Sequence, residues 1–121
     1  WGDGQYEGSL IPQLKNAIYE GKASFPMSGG EQVRDFLPVE TMAEYIVRFA
    51  LIEHISGCFN CCSGKPVTVK EFVEAYLKSK NSTIRLELGV YPYPDYEPMS
   101  FWGSTKKLNT IINQHESGRT V

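Results

Sequence analysis

With 121 residues, 41% of them hydrophobic, the chain fits the size of one domain and can bury a core holding most of its apolar side chains. Its 12 Lys and Arg against 14 Asp and Glu leave a formal charge of −2; with no basic block, this argues against a nucleic-acid surface or a polybasic membrane patch. The apolar runs are far shorter than the roughly 20 residues a bilayer demands, and no basic-then-apolar leader opens the chain, so the expectation is a soluble, cytoplasmic protein without a membrane partner.

The opening WGDGQ, without Met, reads as part of something longer. Ser9 then precedes LIPQLKNAIYEG, in which Leu10, Leu14, Ala17 and Ile18 share one helical face. Pro12 falls within the first turn and Gly21 suits a left-handed cap, so the pattern predicts a helix over about 10–20. KASFPM reads as a short extended segment limited by Pro26, SGGE as a turn, and QVRDFLPV as a short strand. From Glu40 to about Glu53, the residues Met42, Ala43, Ile46, Phe49 and Ala50 recur at three and four positions, which predicts a helix buried on one side.

GCFNCC follows as a short apolar run and reads as an inner strand, with SGKP turning the chain. Cys58, Cys61 and Cys62 crowd into five residues with no distant partner, which favours reduced thiols packed as small hydrophobes over disulfides. A zinc site beginning at Cys58 and Cys61 would need a second ligand pair, and His54 and His115 are not at ligand spacing.

Thr68-Val69-Lys70-Glu71 has the pattern of a capping box, so a helix must follow, with Val69, Phe72, Val73, Tyr76 and Leu77 on one face. TIRLEL alternates Ile84, Leu86 and Leu88 as a strand does, whereas the proline-rich GVYPYPDYEPMSFWG reads as an ordered loop. A last short helix is expected from Ser104, and a frayed tail over 115–121. The sum is a mixed α+β fold: one domain over 1–121 with about four helices and several short strands.

Three stretches, LIPQLKNAIYEGK, GGEQVRDFLPVETMAEYI and GCFNCCSGKPVTVKEF, taken in this order, resemble the C-terminal substrate-binding domain of the extended short-chain dehydrogenases. These are the NAD-dependent sugar-nucleotide epimerases and dehydratases. The resemblance implies a small domain normally packed on a Rossmann half that binds NAD or NADP. The Gly-rich dinucleotide loop and catalytic Tyr-x-x-x-Lys pair of that half are not in this sequence. The chain alone is therefore expected to hold no cofactor and turn nothing over. Its implied partners are a nucleotide-diphosphate sugar and the missing Rossmann half, and exposed GCFNCC is expected to favour self-association.

Carried over by motif, Arg34 is implied to meet the diphosphate through paired charge-assisted bonds, with an internal carboxylate as its alternative partner. Asp35 is given a turn or support role. Ser24, Phe25, Pro26 and Met27 are implied to pass along the base, with Phe25 or Met27 against its face and Phe25 equally suited to the core. Asn60 is implied to donate to a phosphate or sugar oxygen, the alternative being a buried turn amide. Leu10, with Ile11 and Pro12, either touches the base or packs in the core. The second Arg usual before the last helix is replaced by YPYPDYE. Tyr76 and Lys80 match Tyr-x-x-x-Lys by letter, but Tyr76 lies on the apolar stripe and is expected in the core. An alternative of another class is a non-catalytic interaction module, favoured by the aromatic loop.

Overall fold

The computed structural model describes residues 1–53 and 55–117, with side chains described up to 114. Its elements are α1 (Leu10–Tyr19), β1 (Ser24–Pro26), β2 (Val33–Asp35), α2 (Val39–Ala50), β3 (Pro66–Thr68), α3 (Val69–Ser79), β4 (Arg85–Glu87) and α4 (Lys106–Ser117). The fold is mixed α+β, small, and built from helices joined to short strands, as the sequence leads one to expect.

The core forms where α1 and α3 bring their stripes together. Ile11, Leu14 and Ala17 of α1 meet Val73, Tyr76 and Leu77 of α3, with Phe25, Met27 and Ile84 closing the cluster. Leu14 and Val73 are completely buried, and full burial of such a side chain contributes about 1.5–3 kcal/mol. Tyr76 thus belongs to the core, and Lys80 holds its ammonium 5.6 Å above the Tyr76 ring instead of flanking a reaction site.

The two helices start differently. Ser9 precedes α1 in extended conformation but makes no side-chain cap, so α1 rests on its buried stripe. In α3 the capping box is complete: Thr68 Oγ1 accepts from the Glu71 amide at 3.1 Å, and Glu71 Oε2 accepts from the Thr68 amide at 2.8 Å. Thr68→Ala is expected to lower stability by about 1 kcal/mol in a urea melt. A melt unchanged from wild type would show that burial alone holds the start of α3.

Two small sheets position the rest. β1 pairs parallel with β4, placing Phe25 opposite Leu86. β2 pairs antiparallel with β3, placing Arg34 opposite Val67. On its other edge, β2 takes the 99–101 segment: the Val33 amide donates to Met99 O at 2.8 Å and the Phe101 amide to Val33 O at 3.2 Å. β2 therefore lies between two partners distant in sequence, which brings the proline-rich loop beside Arg34.

Several expectations need correction. α2 forms, but none of its residues is buried; Ile46 is 60% and Val47 58% exposed. The periodicity defines an apolar face that is covered only in part: Phe49 packs edge-on against Phe59, with ring centroids 4.7 Å apart, while Ile46 stays exposed. GCFNCC is not a strand. Cys58 is exposed, Cys61 half-buried and Cys62 buried, so of the three only Cys62 packs as a buried hydrophobe. β3 is not expected from the sequence: it starts at Pro66, the last residue of the SGKP turn, and runs into the Thr68 cap, and three residues are too few to show alternation. Leu88 is 42% exposed and lies beyond β4. Of the tail expected to fray, 115–117 continue α4, while 118–121, like His54, lie outside the described residues. No described helix is long and apolar enough to cross a membrane.

Candidate functional site

After β1 the chain continues extended through Met27 and Ser28, and this segment forms one wall of a cleft of about 510 Å³. Leu10, Phe25, Pro26, Met27, Gln32 and Glu97 are among the residues lining it. The proline-rich loop forms the opposite wall and is tied down at several points. Val90 donates its amide to Met27 O at 3.0 Å, while Tyr93 Oη accepts from the Glu31 amide at 3.1 Å and contacts Glu31 Oε2 at 3.2 Å. Gly29 makes this approach possible, because a Cβ there would come within 2.5 Å of the Tyr93 hydroxyl.

The wall has less free polar capacity than its extended shape suggests. The Met27 amide is engaged by Glu87 O at 3.0 Å, and Met27 O already accepts from Val90. Pro26 has no amide hydrogen to offer. Phe25 and Met27 are also core residues, 7% and 4% exposed, so their side chains serve packing first.

Arg34 is tied to this cleft through its partner Glu97, and its own side chain is only 12% exposed. Nη1 donates to Val33 O at 2.8 Å and to Met99 O at 3.3 Å, Nη2 donates to Glu97 Oε1, and the guanidinium lies 4.5 Å over the Phe101 ring. Three of the five N–H donors of an arginine are thereby satisfied within the chain. The carboxylate that pairs with Arg34 is the same one that lines the cleft. The two readings of this residue, an internal ion pair and a ligand contact, therefore meet at one place.

Next along β2, Asp35 points the other way, as alternation in a strand requires. Its carboxylate accepts from the amides of Ser63 and Gly64, each at 2.8 Å. Burial raises its pKa, but these amides, with the Ser63 hydroxyl and the Gly103 amide, outweigh that effect and hold it below the usual 3.8. Asp35 thus fastens the 63–64 turn to β2, a support role. Burial pushes the Cys61 thiol up, with Cys62 adding to the effect; burial and then the Asp35 charge do the same to Cys62. Both are protonated at neutral pH and poor nucleophiles.

Asn60 lies elsewhere. It is exposed and donates to Ser104 O at 3.5 Å. With Asp35, Cys61, Phe101 and Trp102 it lines a second cavity of about 690 Å³. Leu10 borders both hollows. Arg34 connects them as well, since Glu97 lines the first and Phe101 the second. The structure therefore gathers Leu10, Phe25, Pro26 and Met27 around one cleft, links Arg34 to it through Glu97, and sets Asn60 in a second cavity that shares Leu10. Glu97, Ser28 and Gln32 are not among the residues that sequence reasoning singled out. Glu97 is 63 positions from Arg34, and no spacing announces such a pair. No group of three His, Cys, Asp or Glu residues able to hold a metal ion occurs among the described residues.

No family model matches the chain. A dTDP-6-deoxy-L-talose 4-dehydrogenase (NAD(+)) of Aggregatibacter actinomycetemcomitans is 32% identical over 103 residues, which is 85% of this chain. The solved UDP-N-acetylglucosamine 4-epimerase of Methanobrevibacter ruminantium, in complex with UDP-N-acetylmuramic acid, covers 92% of this chain with a TM-score of 0.78 and 26% identity. The chain belongs with the extended short-chain dehydrogenases. It spans little more than a third of the length of these relatives, 38% of the first and 36% of the second. A dTDP-glucose 4,6-dehydratase of Bacillus anthracis, in complex with NAD, shares the fold, with a TM-score of 0.75 at 23% identity over 93% of this chain and 35% of its own.

Among the described residues, the turn with adjacent glycines does not fit the dinucleotide of that dehydrogenase family. A pyrophosphate is held where a glycine-rich turn opens a helix. Here the Gly29-Gly30 turn, with Gly30 at φ +72°, leads into β2 instead. No reaction step is assigned to NAD on this chain.

Proposed function

We propose that this chain is the substrate-binding portion of an NAD(P)-dependent, cytoplasmic nucleotide-sugar epimerase or dehydratase, and that it holds the nucleoside diphosphate of the substrate. One observation supports the reading: Arg34 pairs with Glu97, which lines the 510 Å³ cleft, and lies over Phe101, which lines the 690 Å³ cavity. The base enters the 510 Å³ cleft beside Leu10 and the Phe25–Met27 wall. The sugar extends into the 690 Å³ cavity toward Asn60, and the diphosphate between them passes Arg34.

Arg34 need not be rebuilt to take part. Its Nη1 bonds to Val33 and Met99 and its stacking on Phe101 keep the guanidinium plane fixed. A phosphate has only to replace Glu97 at Nη2 and take the remaining N–H donors, and a more highly charged oxygen acceptor favours that exchange. The chain thus supplies affinity and orientation, while the hydride chemistry belongs to the portion that binds the cofactor. In this reading the exposed side chains of Ile46 and Val47 on α2, and of Leu51 just beyond it, are where the cofactor-binding portion packs.

A second reading, a non-catalytic interaction module, is favoured by Phe101 and Trp102, each 54% exposed. Calorimetric titration of the complete protein with UDP and dTDP separates the two. Saturable binding of one of them supports the substrate site. Absence of binding by both at millimolar concentration removes it and leaves the interaction module.

A further inference from the structure

Cys61 and Cys62 are neighbours in sequence, and in a strand they would point to opposite faces. The GCFNCC segment is not a strand, however, and the chain bends at Cys62. Both residues consequently line the same 690 Å³ cavity, Cys61 half-buried and Cys62 8% exposed. Cys62 Sγ lies against Gly103, where an added Cβ would come within 2.4 Å of it, and Gly103 lines that cavity too. Cys58 stands apart: it is exposed and lines a different hollow of about 310 Å³, beside Lys106 and Lys107. Two thiols, not three, therefore share one space, which is too few protein ligands for a structural zinc ion but enough to chelate a soft element that takes sulfur in preference to oxygen.

We infer that Cys61 and Cys62 form a dithiol site that captures a trivalent arsenical, held by one bond from each sulfur. With an organic arsenoxide the exchange balances without an oxidant. Two As–S bonds form, arsenic gives up its oxygen, and that oxygen leaves as water with both thiol protons; arsenic stays trivalent. Burial, with the neighbouring thiol for Cys61 and the Asp35 charge for Cys62, keeps both thiols protonated. That slows alkylating reagents, which need a thiolate, whereas the arsenical carries away the protons in its own leaving group. The rings of Phe59, Phe101 and Trp102 on the cavity wall suit an apolar substituent on the arsenic. The inference does not depend on the substrate site proposed above.

The test adds phenylarsine oxide to the complete protein and counts bound phenylarsenic groups by native mass spectrometry. Wild type is expected to carry one group more than Cys61→Ser or Cys62→Ser. Each variant should bind at this site about a hundredfold or more weakly, because a second bond made within one molecule adds affinity of that order. Cys58→Ser is expected to match wild type. Dimercaptopropanol, which offers a competing pair of thiols, should strip the group, while mercaptoethanol at equal thiol concentration should leave it in place. Uptake by Cys61→Ser equal to that of wild type overturns the inference, as does loss of the group in Cys58→Ser or equal release by both thiols. Should Cys62→Ser fail to fold, Cys61→Ser and the release comparison on wild type decide the matter. Protein mass is the readout, so the result is the same whether or not a nucleotide binds.

Discussion

Arg34→Ala is expected to weaken UDP binding by the complete protein about ten- to a hundredfold, because hydrogen bonds to a charged group are worth about 1.5–3 kcal/mol. Two effects act in the same direction. The diphosphate loses its paired donors, and Glu97, 32% exposed at the cleft, is left without its cation and faces the incoming anion. The double variant Arg34→Ala/Glu97→Gln separates them. If Arg34 contacts phosphate, the double variant still binds weakly; if the loss comes only from a stranded carboxylate, it recovers wild-type affinity. Arg34→Lys retains charge without the planar fork and is expected to fall between wild type and Arg34→Ala. Unchanged affinity in Arg34→Ala would reduce the Arg34–Glu97 pair to a structural tie.

Asp35→Asn is expected to lower stability by about 2–4 kcal/mol at neutral pH, since charge-assisted bonds to at least two backbone amides are weakened together. The pH dependence follows from the direction of its shift. The folded-state pKa of Asp35 lies below the usual 3.8, so the unfolded chain takes up its proton first as pH falls. The stabilisation is therefore complete above about 3.8 and is lost as pH drops from there through the lower folded value. Urea melts across this range should show wild type approaching Asp35→Asn in acid and separating from it toward neutrality. Parallel profiles would mean that the carboxylate charge does not fasten the 63–64 turn.

How far the sequence reveals this molecule depends on whether the determining contacts are local. The α3 capping box needs only Thr68 and Glu71, three residues apart, and it forms with both of its bonds. The α1 stripe of Ile11, Leu14 and Ala17 shows the same local logic, with burial repeating along one face. The α2 stripe is as regular, yet periodicity states only which residues share a face, not how far it is covered, and Ile46 remains exposed while Phe49 packs on Phe59. GCFNCC has a strand-like composition but no strand edge to join, and Asp35 takes the amides of Ser63 and Gly64 just after it.

The candidate site divides in the same way. Arg34 and the Phe25–Met27 segment are visible through a motif; the segment lines one cleft, and Arg34 pairs with Glu97, which lines it too. What completes that cleft comes from far along the chain: Tyr93 anchoring the loop to Glu31, and Glu97 pairing with Arg34. Such contacts depend on β2 pairing with the 99–101 segment, a long-range event that local pattern does not encode. Gln32 lies within the quoted motif, but an exposed and a buried glutamine read alike until burial is known.

A crystal structure of the complete protein with UDP tests the central claim most directly. The account predicts the uracil in the cleft between Leu10 and the Phe25–Met27 wall, and the diphosphate within hydrogen-bond distance of Arg34, with Glu97 displaced from Nη2. UDP bound at another surface, with Arg34 still paired to Glu97 and the cleft filled only by solvent, would contradict it.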